Sequence, residues 1–359
     1  MKKTVLVAMS GGVDSSVAAM LLKESGFTVV GVTMKLFGNQ EIGASGKTCC
    51  ALRDVEDAAA VARRIGIEHH VFNFTDAFRT EVMGRFAAGY AAGQTPNPCI
   101  DCNRRIKFPL LLRRAELLGA DYIATGHYAR VKRDADGRYC LMKAVDVRKD
   151  QSYVLYDITQ AQLSRTLFPL GDMTKAQVRE AAQAYGFLNA KKAESQDICF
   201  VPDGDYCRFL TMEMGVSSLP GDIVGRDGRV LGVHKGLVRY TIGQRRGLGL
   251  AAEHPLYVVD KDVERNILIV GAESDLYIDA FFVEDPQLSS ISALTGPVRA
   301  AVKTRYRQEE VPAVLSPDGN RIRVELASVC RAVTPGQAAV FYDGQVVLGG
   351  GTIAETRAR

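Results

Sequence analysis

The sequence predicts an α/β domain with a parallel sheet covered on both faces by helices, followed by a mainly-β region. Three observations carry this prediction. From residue 4 to about residue 126, short apolar runs alternate with longer stretches of helical period, the pattern of consecutive β-α-β units. Beyond about residue 204 the helical period fades. In its place Asp227-Gly228, Asp318-Gly319 and Asp343-Gly344 each stand between short alternating stretches, which is a hairpin signal.

Taken in order, residues 4–9 read as a buried strand and residues 17–23 as a helix. Strands follow at 28–34, 68–74 and 121–125, and helices at 53–65, 76–92 and 105–118. Gly66 and Gly119 stand just past two of these helices, where a glycine closes a helix at least steric cost. Ser10, Met34 and Gly126 fall at strand C-termini and are expected to line one crevice. Residues 36–50 read as an insertion near that crevice, with Cys49-Cys50 at its end as structural residues. Within residues 128–145, Asp136-Gly137 predicts a hairpin on the sheet edge. Helices are expected at 160–167 and at 174–185, the second with Thr174 as N-cap and Gly186 after it. Residues 286–296 read as a link between two β modules. The expected domains are therefore 1–205, 206–280 and 281–359.

A chain of 359 residues exceeds one ordinary core. Its 47% hydrophobic and 24% charged residues are those of a soluble globular protein. It has no apolar run long enough to span a membrane. Met1-Lys2-Lys3 leads straight into the first strand, which is too soon interrupted to be a signal peptide, so a cytoplasmic location is expected. In that compartment the eight cysteines read as thiols, metal ligands or catalytic groups. A net charge of +4 decides little. Clusters such as Arg104-Arg105, Arg113-Arg114, Arg148-Lys149, Lys191-Lys192 and Arg245-Arg246 are compatible with a track for a polyanion.

Ser10-Gly11-Gly12-Val13-Asp14-Ser15-Ser16 joins the first strand to the first helix. Two glycines let backbone amides turn toward one anion, and the helix start adds partial positive charge. No lysine follows as in a P-loop, and the spacing is not that of a dinucleotide fingerprint. Asp14 is suited to orienting magnesium or to holding the turn. Cys99 and Cys102 precede a helix, where at least one thiol is expected to be substantially ionised near neutral pH. They would otherwise be half of a zinc site, but no second Cys-x-x-Cys pair follows. Cys199, taken alone, reads as a core cysteine.

Six segments occur in order: the Ser10–Ser16 loop, Thr95-Pro96-Asn97-Pro98 with Cys102-Asn103, Ala124-Thr125-Gly126-His127-Tyr128, Lys149-Asp150-Gln151-Ser152-Tyr153, Ser195-Gln196-Asp197-Ile198-Cys199-Phe200, and Tyr240-Thr241-Ile242-Gly243-Gln244-Arg245. Together they resemble the bacterial tRNA-specific 2-thiouridylases of the N-type ATP pyrophosphatase superfamily. The resemblance implies a Rossmann-like parallel sheet followed by two smaller mainly-β modules, the last a β-barrel. It implies ATP-dependent replacement of the C2 oxygen of the wobble uridine by sulfur. ATP, with magnesium, would be held by Ala8, Met9, Ser10, Gly11, Gly12, Val13, Asp14, Ser15, Met34 and Gly126. Cys199 would carry a persulfide, and Cys102 would attack its inner sulfur to leave a Cys102–Cys199 disulfide. Asn97, Pro98 and Cys99 would face the target base. His127, Lys149, Asp150, Gln151, Arg305, Tyr306 and Gln337 would contact tRNA. A sulfur-carrier protein or cysteine desulfurase is the implied partner, and a monomer the expected state.

Cys99 stands where the best-known form of the family has aspartate. This opens the alternative that Cys99, Cys102 and Cys199 ligate a [4Fe–4S] cluster that holds hydrosulfide. Another adenylate-forming enzyme of the same loop class would need neither Cys102 nor Cys199, and a non-catalytic RNA-binding protein would release no pyrophosphate.

Overall fold

The computed structural model describes residues 2–38, 42, 50–192 and 198–358, without the side chains of 50–52, 357 and 358. Most of the insertion read over residues 36–50, the Cys49-Cys50 side chains and Ser195-Gln196-Asp197 lie outside the described residues. The chain divides into two compact units. One comprises Met1–Val82, Cys99–Gly204 and Gln345–Leu348, the other Met83–Pro98, Asp205–Gly344 and Gly349–Arg359.

The first unit is built on β1 (Thr4–Ala8), β2 (Thr28–Lys35), β3 (Glu68–Asn73) and β4 (Tyr122–Ala124), joined by β7 (Thr166–Leu167) in the order β3-β2-β1-β4-β7. All four pairings are parallel. Val5, Leu6 and Val7 of β1 have no exposed surface, as a central strand covered on both faces requires. Strand order reverses at β1, so the crevice beyond its carboxyl end is where an α/β sheet binds ligands. Helix α1 (Val13–Glu24) starts from that crevice, and α2 (Cys50–Ile65) packs with it through Val17, Ala58 and Ala62. Gly66 and Gly119, at φ +64° and +66°, close their helices as expected.

Several elements differ from the sequence reading. Residues 76–92 form α3 (Thr75–Phe78), a π-helical turn (Arg79–Gly84) and α4 (Arg85–Ala91). The helix expected from 105 begins earlier as α5 (Pro98–Asp101), passes through a π-helical turn at Cys102–Lys107 and continues as α6 (Phe108–Leu117). Residues 160–167 split into α7 (Gln160–Leu163) and strand β7, because Thr166 and Leu167 pair with Ile123 and Ala124. The hairpin of β5 (Arg130–Arg133) and β6 (Tyr139–Met142) does not extend the parallel sheet. Instead Met142 pairs with Val346. Helix α8 (Lys175–Ala184) begins at a capping box made by Thr174 and Gln177.

In the second unit β8 (Gly221–Gly225), β9 (Val230–His234), β10 (Tyr257–Asp262) and β11 (Ile267–Gly271) form a sheet in the order β10-β11-β8-β9. Val258, Leu268 and Val270 fill its core. Strands β12 (Tyr277–Leu288), β13 (Val298–Lys303), β14 (Val311–Asp318), β15 (Arg321–Arg331), β16 (Ala338–Asp343) and β17 (Val346–Ala358) follow. They run β12-β15-β14-β13-β16-β17, and β12 pairs back onto β17 to close a barrel. Gly228, Gly319 and Gly344 sit at positive φ in the three predicted turns. Pro286 belongs to β12, so the link expected from residue 286 begins instead in a strand.

Candidate active site

The Ser10–Ser16 loop is shaped by its own hydroxyls and clamped from outside. Gly11 has φ +72°, and a Cβ there would lie 2.3 Å from the Asp54 carbonyl oxygen, so only glycine fits against α2. The Ser15 and Ser16 hydroxyls donate to the Gly12 carbonyl at 3.2 and 2.9 Å, and the Ser10 amide donates to Ser15 Oγ at 3.2 Å. Asn189 Nδ2 donates to the Gly11 carbonyl and to Ser16 Oγ, both at 3.0 Å. Lys192 Nζ bridges Asp54 and Asp57 of α2 at 2.7 and 2.6 Å and also reaches the Gly11 carbonyl. The start of α1 therefore lies on a fixed turn, with its dipole directed at the crevice.

Gly126 seats the end of the β4 segment on this loop. A Cβ on it would stand 2.7 Å from Ser15 N and 2.8 Å from Asp14 C. Met34 occupies the next-to-last position of β2, on the same carboxyl edge. Ala8 closes β1, and Met9 is buried beneath the loop.

Asp14 is engaged by Lys175 Nζ at 2.7 and 2.9 Å, one contact to each carboxylate oxygen, and by the Tyr128 hydroxyl at 2.8 Å. Tyr128 is itself held by Gln151, whose Oε1 accepts from the Tyr128 amide at 2.9 Å. Of the two tasks open to Asp14, these bonds serve the holding of the turn. Among the described residues no three His, Cys, Asp or Glu side chains are grouped to hold a metal ion. The hard oxygens of Asp14 and Ser15 suit a magnesium ion carried in on phosphate, the usual habit of that ion.

Both candidate catalytic cysteines hang from aromatic anchors in this unit. Cys102 opens the π-helical turn that leads into Phe108, whose ring stacks on His127 at 6.1 Å beside Gly126. Phe200, next to Cys199, packs on Phe78 at 5.7 Å, and Phe78 packs at the same distance on Phe37, just beyond β2. Cys102 is buried, whereas Cys99 and Cys199 are exposed residues. The Cys102 thiol is pushed up to about 11 by burial, opposed by Lys107 and assisted by Cys99 and Asp101. That of Cys199, set among enough protein despite its exposed surface, is pushed up to about 12 by desolvation, then by Cys102 and Cys99. Cys99 and Cys102 thus lie close enough to Cys199 to oppose its ionisation. The ionised thiol expected from the helix start does not arise at Cys102: burial outweighs a four-residue helix. Among the described residues the three cysteines are not grouped to hold a metal ion.

His127 is half-buried, its Nδ1 2.8 Å from Thr125 Oγ1, and burial keeps it well below the usual histidine range. Lys149 is also half-buried. Asp150 is buried and accepts from the Ala144 amide and the Ser152 hydroxyl at 2.9 and 2.7 Å, a local structural task the sequence did not announce. In the second unit Arg305 donates to the Ala332 carbonyl and Thr334 Oγ1 at 2.8 and 3.0 Å, while Tyr306 is 38% exposed. Gln337 Nε2 donates to the Thr95 carbonyl, and the Thr95 amide donates to the Pro335 carbonyl at 3.1 Å. These bonds tie the barrel to the segment that leads into Asn97 and Pro98. Sequence reasoning missed Lys175, Asn189 and Lys192. Thr174 as N-cap located the start of α8, but no spacing signal pairs Lys175 with Asp14.

The chain matches three family descriptions in succession: the tRNA methyl transferase HUP domain over residues 3–203, the tRNA methyl transferase PRC-barrel domain over 208–272 and the aminomethyltransferase beta-barrel domain over 278–353. It is 51% identical over 357 residues to the tRNA-specific 2-thiouridylase MnmA of Geotalea uraniireducens, covering 98% of this chain and 95% of the relative. It is 52% identical over 359 residues to the protein of the same name from Chloroflexus aurantiacus, covering 98% of each. The match to that of Moorella thermoacetica is 51% over 351 residues, 97% of this chain and 98% of the relative. With the loop, the paired cysteines and the closing barrel in place, the chain belongs to the tRNA-specific 2-thiouridylase family.

Proposed function

We propose that this protein catalyses the ATP-dependent 2-thiolation of the wobble uridine of tRNA, with sulfur delivered through a cysteine persulfide. The observation that carries the reading is that one unit holds both an anion-binding loop and the two cysteines, with Cys102 near enough to Cys199 to oppose its ionisation. A uracil C2 carbonyl is a poor electrophile. Transfer of AMP onto its oxygen makes a good leaving group, and pyrophosphate departs over the Ser10–Ser15 amides and hydroxyls. Magnesium arriving with ATP would supply charge neutralisation there.

In the second half, the terminal sulfur of a Cys199 persulfide attacks C2 and AMP leaves. Cys102 then attacks the inner sulfur, the bond between the two sulfurs of the persulfide breaks, and the thiouridine is released beside a Cys102–Cys199 disulfide. An external reductant restores both thiols. If hydrosulfide is released first, the same bonds form and break in the other order. The burial of Cys102 supports a late role, since a protonated thiol leaves the persulfide intact until it is called on.

The ATP-binding set is Ala8 to Ser15 with Met34 and Gly126. For tRNA, we assign His127 and Lys149 in the first unit, with Asp150 and Gln151 shaping the loop that presents Lys149. In the second unit we assign Tyr306, with Arg305 and Gln337 bracing it and the Asn97-Pro98 segment that, with Cys99, faces the target base. An aromatic ring beside cations suits unstacked anticodon nucleotides. The reading keeps domains at 1–205, 206–280 and 281–359, a sulfur-carrier or desulfurase partner, a monomer, and a cytoplasmic setting. The test is pyrophosphate release from ATP with and without tRNA. Release that requires tRNA and persists in Cys199→Ala is expected; no tRNA-dependent release from wild-type protein overturns the assignment.

A further inference from the structure

One buried carboxylate has no part in the chemistry above. Asp157 has a fully buried side chain, and apart from a weak approach to its own backbone amide neither of its oxygens has a hydrogen-bond partner. Its nearest opposite charge is Arg104, with Nε 3.4 Å from Oδ2. A buried carboxylate held by one ion pair, with no hydrogen bond from another residue, is costly compared with an apolar pair of the same shape. Its retention calls for a positional reason.

That reason lies in what Arg104 belongs to. It stands two residues after Cys102 in the π-helical turn Cys102–Lys107, and such turns break the regular helical ladder and need outside support. The support comes from one short stretch. Asn103 Nδ2 donates to the Val154 carbonyl at 2.8 Å, and Arg104 faces Asp157 three residues further on. Two consecutive side chains after Cys102 are thus pinned to residues 154–157. Arg105 is drawn the other way, to Glu81 at 3.2 Å and Asp101 at 3.4 Å. On its other side Arg104 lines a cleft with Ala77, Glu81, Arg105, Ile106 and Leu110, so without Asp157 its guanidinium has open space to move into.

We propose that Asp157 is a positioning residue for sulfur transfer: through Arg104 it fixes the π-helical turn that presents the Cys102 thiol to Cys199. The proposal rests on the persulfide reading for its place in the reaction, but the geometry it asserts is testable without tRNA. The charged and titratable groups facing Asp157 are Arg104 and Arg105 of the turn, Asp101 of α5 and the adjacent Tyr156. Burial, opposed by Arg104, lifts its carboxyl to about 7. Protonation below that pH weakens its hold on Arg104, in the same direction as the Asn substitution below.

The experiment follows closure of the Cys102–Cys199 disulfide by diamide, which accepts the two electrons and two protons of the dithiol, in the full chain with the other cysteines intact. Closure is read by peptide mass spectrometry, with melting temperature and ATP affinity measured on the same samples. Asp157→Asn, an uncharged isostere, is expected to slow closure at least about tenfold at constant pH, with ATP affinity within about twofold of wild type. Arg104→Lys, which keeps the charge, is expected to recover most of the rate lost in Arg104→Gln. If Asp157→Asn is poorly folded, the Arg104→Gln and Arg104→Lys pair carries the test. Closure within twofold of wild type in folded Asp157→Asn or Arg104→Gln overturns the proposal and leaves the pair a packing feature. Normal closure behaviour in a wild type that thiolates no tRNA would instead count against the proposed function alone.

Discussion

The buried thiol of Cys102 makes a sharp kinetic prediction. Its ionisation is moved from 9.0 to about 11, and at pH 7.5 that lowers the thiolate share from roughly 3% to roughly 0.03%, a factor of about 100. Only the thiolate is nucleophilic, so alkylation of Cys102 by iodoacetamide should accelerate about tenfold per pH unit from pH 7 to pH 10. Restricted access to a buried thiol lowers the whole curve without changing its slope. Lys107 opposes the shift, so Lys107→Gln should lower the rate further at every pH. The assay is peptide-resolved mass spectrometry after timed alkylation, which reads Cys102 separately from Cys99 and Cys199. A plateau below pH 9 would mean a thiol that ionises more readily than an unperturbed one and would refute the argument that burial dominates.

Three further outcomes are expected. Gly126→Ala drives a Cβ against the backbone of Asp14 and Ser15, and should reduce pyrophosphate release at least about tenfold, some 1.4 kcal/mol in the barrier; release within twofold would place the loop elsewhere. Lys175→Met removes one partner of Asp14, whose carboxylate is 32% exposed and keeps the Tyr128 hydroxyl, and should cost about 1 kcal/mol in urea denaturation; no measurable loss would leave the pair without a part in holding the turn. For Asp157 the folded carboxyl lies at about 7 against 3.8 unperturbed, so the folded state binds the extra proton between those values. Its stabilising contribution is complete below pH 3.8 and is lost as pH rises through 7. Asp157→Asn should therefore flatten the decline between pH 4 and pH 8, which amounts to about 4 kcal/mol, and melting curves across that range check it.

The fold class and the loop were legible because both are written in local pattern. The unbroken apolar run of β1 announces a doubly covered strand, and two glycines between it and α1 announce a turn with a close neighbour, which proved to be Asp54. The departures come from tertiary causes. The helix through Cys102 is interrupted by a π-helical turn because Asn103 and Arg104 are held by residues 154–157, about fifty positions away in the chain. Residues 166 and 167 leave the helical pattern because β4 offers them a parallel partner. At the site, Cys102 was identifiable but its ionisation was not, since a short helix start raises thiolate character only where the thiol stays near water. Lys175 was invisible for a simpler reason: an ion pair between α1 and α8 has no periodicity. Asp150 and Gln337, expected to contact tRNA, also carry hydrogen bonds to neighbouring segments that no sequence pattern announces.

The central claim is that adenylation at the loop and sulfur transfer at the cysteines are two halves of one reaction on tRNA. Mass spectrometry of nucleosides from tRNA incubated with the protein, ATP, magnesium and a persulfide donor tests it most directly. Wild-type protein should yield 2-thiouridine at the wobble position, and Cys199→Ala should yield none while still releasing pyrophosphate. Equal 2-thiouridine from Cys199→Ala and wild type would contradict the account.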